Sequence, residues 1–342
     1  MSFLVWLLGG VAALLALGAA YQAIGVAIDR RRFPAPGRLV DVGGRRIHIH
    51  VEGDSQAGAP TVILESGVAA SSPSWRLVRP EIAKFARVVT YDRAGLGWSE
   101  PSREPITPDS VLNDLRAALA AVGVAPPFIF VGHSFGGLVA QLYAARYRQE
   151  LAGMVLLDPP HPSEWGPEAP AVKHYMLKRG ARLSRRGAWC ARLGINRLLL
   201  SLLTAGMTRG PRAFVVAVSG RAVTAANRIV SEIRKLPPET HPILKALWSQ
   251  PKSFEAMAAH LEALPGVCAE VARTSTAGAW GELPLVVLTA SNPSPERTRH
   301  QEDLSGVSLC GRHMVVEKGG HWIQLDRPDL VVEAVRLVSQ LC

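Results

Sequence analysis

The sequence predicts an α/β protein: a mostly parallel sheet with helices on both faces, a helical insertion, and one apolar helix in front. Three observations carry that expectation. Short β-rich runs alternate with amphipathic helical runs beyond Gly37, a serine sits between glycines where one such strand meets a helix, and no charged residue occurs from Phe3 to Ile28. With 342 residues, 48% of them apolar and 19% charged, the chain has a globular composition that can fill one large domain or a domain with an insertion.

The apolar run FLVWLLGGVAALLALGAAYQAIGVAI exceeds the roughly 20 residues that a helix needs to cross a bilayer. It lacks the basic n-region and short core of a cleaved signal peptide, so an uncleaved single-pass anchor is expected over residues 1–37. Arg30, Arg31 and Arg32 follow it, and the positive-inside tendency favours the cytoplasmic side for the domain behind them. Pro34 to Gly37, PAPG, forms a linker.

Beyond it the chain divides into a core at 38–159, an insertion at 160–280 and a second core part at 281–342. Strands are expected at Arg46 to Val51, Thr61 to Leu64, Val88 to Tyr91, Phe128 to Val131, Met154 to Leu157, Leu285 to Thr289 and His313 to Val316. Helices lie between them. The one over Pro108 to Ala121 is marked by Val111, Leu115 and Leu119 at four-residue spacing, and another closes the chain from Pro328 to Leu341.

Gly132-His133-Ser134-Phe135-Gly136 follows the strand FIFV and opens the helix GGLVAQLYAARY. The spacing matches G-x-S-x-G, in which a sharp strand-to-helix bend lifts a serine off the sheet and presses backbone against backbone at the glycines. A serine hydroxyl needs a base to take its proton. Of ten histidines, His321 in VVEKGGHWIQLDRP fits, since it lies between the last strand and the last helix. His313 inside a strand and His133 within the elbow read as structural, and His48 and His50 as surface residues.

GHSFGG and GGHW, with LESGVAASSPSW (Leu64 to Trp75) and YDRAGLGWS (Tyr91 to Ser99), resemble the α/β-hydrolase superfamily in its serine hydrolases of esterase, lipase and peptidase type. The resemblance covers Leu39 to Cys342. It implies backbone oxyanion donors at Val68 and Phe135, and a structural role for Asp92 in fixing its loop. Ser66-Gly67 stands where relatives often have His-Gly. The triad acid often follows the penultimate strand in relatives, where this chain has Ser291 and Asn292; others carry it one strand after the nucleophile, where Asp158 stands. Asp158 is the expected acid, with Glu296, Glu302 and Asp303 as alternatives.

The insertion holds 17 Lys and Arg against 7 Asp and Glu, matching the chain's whole net charge of +10. A solvated basic face is one reading. The other is a cap resting on anionic headgroups through apolar stripes such as Ile195 and Leu198 to Leu203, admitting lipophilic substrates. Nucleic acid is not an expected partner, since no recognition motif accompanies the charge. Cys190, Cys268, Cys310 and Cys342 are too scattered for a zinc site or a disulfide framework.

Together these residues predict a membrane-anchored serine hydrolase without metal or cofactor, cleaving a carboxylic ester, with thioester or amide as variants, through an acyl-enzyme. The alternatives are a cofactor-free haloperoxidase-like or carbon-carbon bond hydrolase using the same triad, and a noncatalytic binding protein of the same fold. Epoxide- and haloalkane-hydrolysing relatives use an aspartate at the elbow, where this chain has Ser134. The sequence leaves the oligomeric state open.

Overall fold

The computed structural model describes residues 2–54, 58–204 and 232–341. The middle of the insertion, residues 205–231, and Cys342 lie outside the described residues, as do the side chains of Leu202 and Leu203 in the expected apolar stripe. Eight strands form one sheet: β1 (Arg38–Asp41), β2 (Arg46–Glu52), β3 (Thr61–Glu65), β4 (Val88–Tyr91), β5 (Phe128–His133), β6 (Leu151–Leu157), β7 (Leu285–Thr289) and β8 (Gly311–Val315). Their order is β1-β2-β4-β3-β5-β6-β7-β8. The pairs β1/β2 and β2/β4 are antiparallel, and every later pair is parallel.

Parallel strands buried on both faces need continuous apolar runs, and the alternation within each run assigns its two faces. Ile63, Phe130, Leu156 and Val287 enter one core with Leu115 and Leu138. Val62, Ile129, Val155 and Val286 enter the other with Ile82, Val331 and Val335. The helices contributing those residues are α2 (Arg79–Ala83), α3 (Pro108–Ala121), α4 (Phe135–Tyr147) and α12 (Pro328–Gln340), whereas the N-terminal α1 spans Ser2–Arg32. Helix α3 starts where expected because Thr107 and Ser110 cap each other, with bonds of 2.9 and 3.1 Å, and Pro108 sits in the first turn.

Between β6 and β7 the described residues form α5 (Pro162–Trp165), α6 (Ala171–Arg192), α7 (Ile195–Thr204), α8 (Thr240–Trp248) and α9 (Pro251–Thr274). Helix α9 packs along both α6 and α4, which seats this insertion directly on the helix that follows Ser134. After β7 come α10 (Pro295–Ser305) and α11 (Ile323–Asp326).

Two expectations change. Strand β1 was not expected: only Val40 of its four residues is buried, leaving no alternation to read. His48 is not a surface residue but fully buried, because β1, the linker and Trp98 close over it. Its Nδ1 bonds Asp92 Oδ2 at 2.8 Å and its Nε2 meets the Pro36 carbonyl. His50 is half-buried against Arg79 Nη1 at 2.8 Å. Asp92 holds its loop by accepting the Ser72 and Trp98 N–H groups at 2.7 and 3.0 Å.

Candidate active site

Ser134 occupies the turn between β5 and α4 at φ 53° and ψ −120°, a sparsely populated region for a residue with a side chain. The turn is held from both sides. Ser134 N–H donates to Leu157 O at 2.9 Å, extending the β5/β6 ladder, and Ser134 O accepts from Gly137 N–H at 2.8 Å. A Cβ on Gly132 would lie 2.4 Å from Gly136 O, and one on Gly136 would lie 2.4 Å from Glu65 O. The framing glycines are therefore steric necessities, as the sequence spacing implies.

Asp158 follows β6, with its N–H donating to Leu288 O at 2.7 Å, and also has a positive φ, 42°. His321 lies in the loop after β8 and bonds Asp158 Oδ2 through Nδ1 at 2.6 Å. The second carboxylate oxygen accepts from Arg297 Nη2 at 3.1 Å and from Ala290 N–H at 3.3 Å. Burial disfavours the charged carboxylate, yet the His321 bond and the Arg297 charge outweigh it and hold Asp158 down to about 2. An ionised Asp158 accepts only, so the proton of neutral His321 sits on Nδ1 and leaves Nε2 free as a base.

The elbow and the histidine loop meet through His133. Its Nε2–H donates to His321 O at 2.8 Å, and the two rings lie 4.9 Å apart. Among the described hydrogen bonds none joins the Ser134 hydroxyl to His321 directly. Glu296, Glu302 and Asp303 all lie on α10, and none of them bonds His321 among the described residues. Ser291, where many relatives carry the acid, instead directs its N–H and hydroxyl to Gly319 O at 2.7 and 2.9 Å. That segment contributes a cation to the site, Arg297, whose Nη2 also bonds the Asp158 and Pro159 carbonyls at 3.2 and 2.8 Å.

The loop after β3 covers the elbow, since a Cβ on Gly67 would lie 3.5 Å from Ser134 Cβ. Val68 follows on that loop, and Phe135 is the first residue of α4, where the helix offers its N–H no partner. The loop is supported by a buried network that the sequence reading did not anticipate. Arg93 pairs with Glu65, donates to Ser66 O at 2.7 Å and to Gly67 O, and receives further support from the Tyr91 hydroxyl, which donates to Glu65. Burial pushes the Glu65 carboxyl up despite Arg93. A charge ending the apolar strand VILE and another in YDRAG were the available signals, because two buried ions need each other.

Arg93 Nε also donates to His260 Nε2 of α9 at 3.0 Å, and His260 Nδ1–H donates to Ala256 O at 2.7 Å. Burial first, then the Arg93 charge, lowers His260 to about 3; burial first, then His321, lowers His133 to about 3. Both depressed values mean that the folded state resists protons the unfolded chain accepts. Their stabilisation is complete above the ordinary histidine value of 6.5 and is lost as pH falls towards 3. His260→Gln keeps an acceptor for Arg93 but cannot protonate, so melting temperature should fall less steeply between pH 6 and 4 than in the parent. Equal slopes by differential scanning calorimetry would contradict the His260 assignment.

A family model described as alpha/beta hydrolase fold matches residues 60–200. The chain is 36% identical over 110 residues to the uncharacterized protein YqjL of Bacillus subtilis, covering 32% of this chain and 44% of that protein. It is 26% identical over 300 residues to epoxide hydrolase 3 of Xenopus tropicalis, covering 86% and 74%. The first curated relatives are each matched over less than half of their own length. A thermophilic esterase from Thermogutta terrifontis superposes with a TM-score of 0.59 at 20% identity, over 89% of this chain and 97% of that one, a likeness of fold. With the sheet order, the glycine-framed Ser134 turn and these matches agreeing, the chain has the α/β-hydrolase fold.

Proposed function

We propose that the protein is a membrane-anchored serine hydrolase that cleaves a carboxylic ester of a lipophilic small molecule through an acyl-enzyme. The observation that carries this is the 2.6 Å bond from His321 Nδ1 to an ionised Asp158 beside the strained Ser134 turn. His321 Nε2 takes the proton of Ser134 Oγ as that oxygen attacks the carbonyl carbon, and Asp158 stabilises the resulting imidazolium. The Phe135 and Val68 N–H groups receive the oxyanion, a contribution of about a hundredfold or more per donor. His321 then protonates the leaving alcohol, and water repeats the sequence to release the acid and restore Ser134.

Serine at the elbow favours this over epoxide opening, for which the family uses aspartate. The lipophilic character of the substrate is inferred from the long apolar helix that precedes the core. Helix α1, long and apolar enough to cross a membrane, would keep the enzyme where such substrates partition. A series of p-nitrophenyl esters from acetate to decanoate tests the reading. The expected result is Ser134-dependent hydrolysis whose kcat/KM rises with chain length beyond acetate; no hydrolysis of any member would overturn it.

A further inference from the structure

Helix α1 is fixed to the insertion over half its length. The buried Gln22 amide donates to Ser249 O at 2.9 Å and accepts from Arg197 Nε at 3.0 Å, while Arg197 Nη1 pairs with Asp29 at 2.6 Å. One turn towards the N-terminus the backbones interlock: a Cβ on Gly18 would lie 2.5 Å from Leu193 O, and one on Gly194 would lie 2.9 Å from Gly18 O. At the far end Trp98 Nε1 donates to Phe33 O at 3.0 Å. The helix is therefore a strut whose height relative to α6 and α7 is set.

That height has a consequence for the bilayer. Every residue from Phe3 to Leu17 is exposed, and the contacts with α6 and α7 begin at Gly18. The run that can face lipid thus gives way, from Gly18 to Gln22, to turns that meet Leu193, Gly194 and Arg197. The corner where α6 meets α7 therefore sits where the exposed apolar run of α1 ends.

Its surface suits the headgroup layer of a bilayer. Trp189, Ile195 and Leu198 are 66%, 42% and 51% exposed there. The Arg192 guanidinium lies 4.7 Å over the Trp189 ring. Towards that corner helix α6 carries Arg182, Arg185, Arg186 and Arg192 and no acidic residue, with Arg185 and Arg192 paired to Glu262 and Glu255 of α9. Exposed indole and aliphatic groups among arginines match headgroups above and acyl chains beneath, with anionic lipid attracting the cations.

We propose that the α6–α7 corner is a bilayer-docking surface, seated in the headgroup layer of the membrane that α1 crosses. It rests on reading α1 as a span. The test places single cysteines at Trp189, Leu198, Leu14 and Leu309 in the full chain with Cys190, Cys310 and Cys342 replaced by serine. Each is labelled with an environment-sensitive fluorophore in vesicles of phosphatidylcholine and phosphatidylglycerol doped with nitroxide lipids of shallow or deep position. Leu309, 73% exposed just before β8, reports on the opposite end of the sheet.

Shallow nitroxide should quench the label at position 189 or 198 at least twofold, deep nitroxide the one at 14, and neither the one at 309. Quenching at 14 with none at 189 or 198 overturns the docking surface while the span stands. No quenching at 14 overturns the span, and the docking surface with it. Hydrolysis of soluble esters in detergent, which needs neither, reports separately on the catalytic reading.

Discussion

Ser134→Ala should reduce ester turnover by about a millionfold, the scale seen when such a nucleophile is removed. The loss is chemical, since the oxygen that forms the acyl bond is gone while the β5–α4 turn keeps its backbone bonds to Leu157 and Gly137. Alanine meets the same positive φ as serine, so the melting temperature should stay within a degree or two. The pair of measurements is kcat with a p-nitrophenyl ester and thermal unfolding by circular dichroism. Turnover within tenfold of the parent would move the nucleophile elsewhere.

Asp158→Asn should lower turnover by about 10⁴-fold with the fold intact. The asparagine oxygen can still accept from Arg297 and Ala290, as Asp158 Oδ1 does at 3.1 and 3.3 Å. Its NH₂ then faces His321 Nδ1, where the carboxylate stood at 2.6 Å. That amide donates, so it selects the tautomer with the proton on Nε2, which cannot accept from Ser134, and it adds no charge to stabilise an imidazolium. Glu296→Gln, Glu302→Gln and Asp303→Asn lie on α10 away from that bond and should each stay within about 0.5 kcal/mol in activation free energy. A collapse in one of these three, with Asp158→Asn near normal, would assign the acid to the segment after β7.

Much of the fold was legible because local patterns decide it. Runs such as VIL and FIFV are apolar on both faces, as strands of a sheet covered on both sides require. The elbow was legible because its glycines are fixed by contacts within a few residues, such as Gly132 against Gly136. Asp158 could be placed from its strand end, but its pairing with His321 spans 163 positions and needed the structure. His48 was misread for a related reason: its burial comes from the linker and from β1, a strand whose RLVD sequence carries no period. The Glu65, Arg93 and His260 network was illegible because Arg93 and His260 stand 167 positions apart, and no spacing rule links them. The docking of α1 was hidden likewise, since Gln22 meets Arg197 across 175 positions in a segment that reads as a plain apolar helix.

The most direct measurement of the central claim is the site of covalent capture. A fluorophosphonate reacts with a serine oxygen only when a base has activated it and donors receive the phosphoryl oxygen, so it reports on Ser134, His321 and the oxyanion donors at once. The intact protein should gain one adduct mass, and peptide sequencing should find it on Ser134. Ser134→Ala should remain unlabelled, and Asp158→Asn should label far more slowly. An adduct on another residue, or labelling of Ser134→Ala at the parental rate, would contradict the assignment of Ser134 as the activated nucleophile.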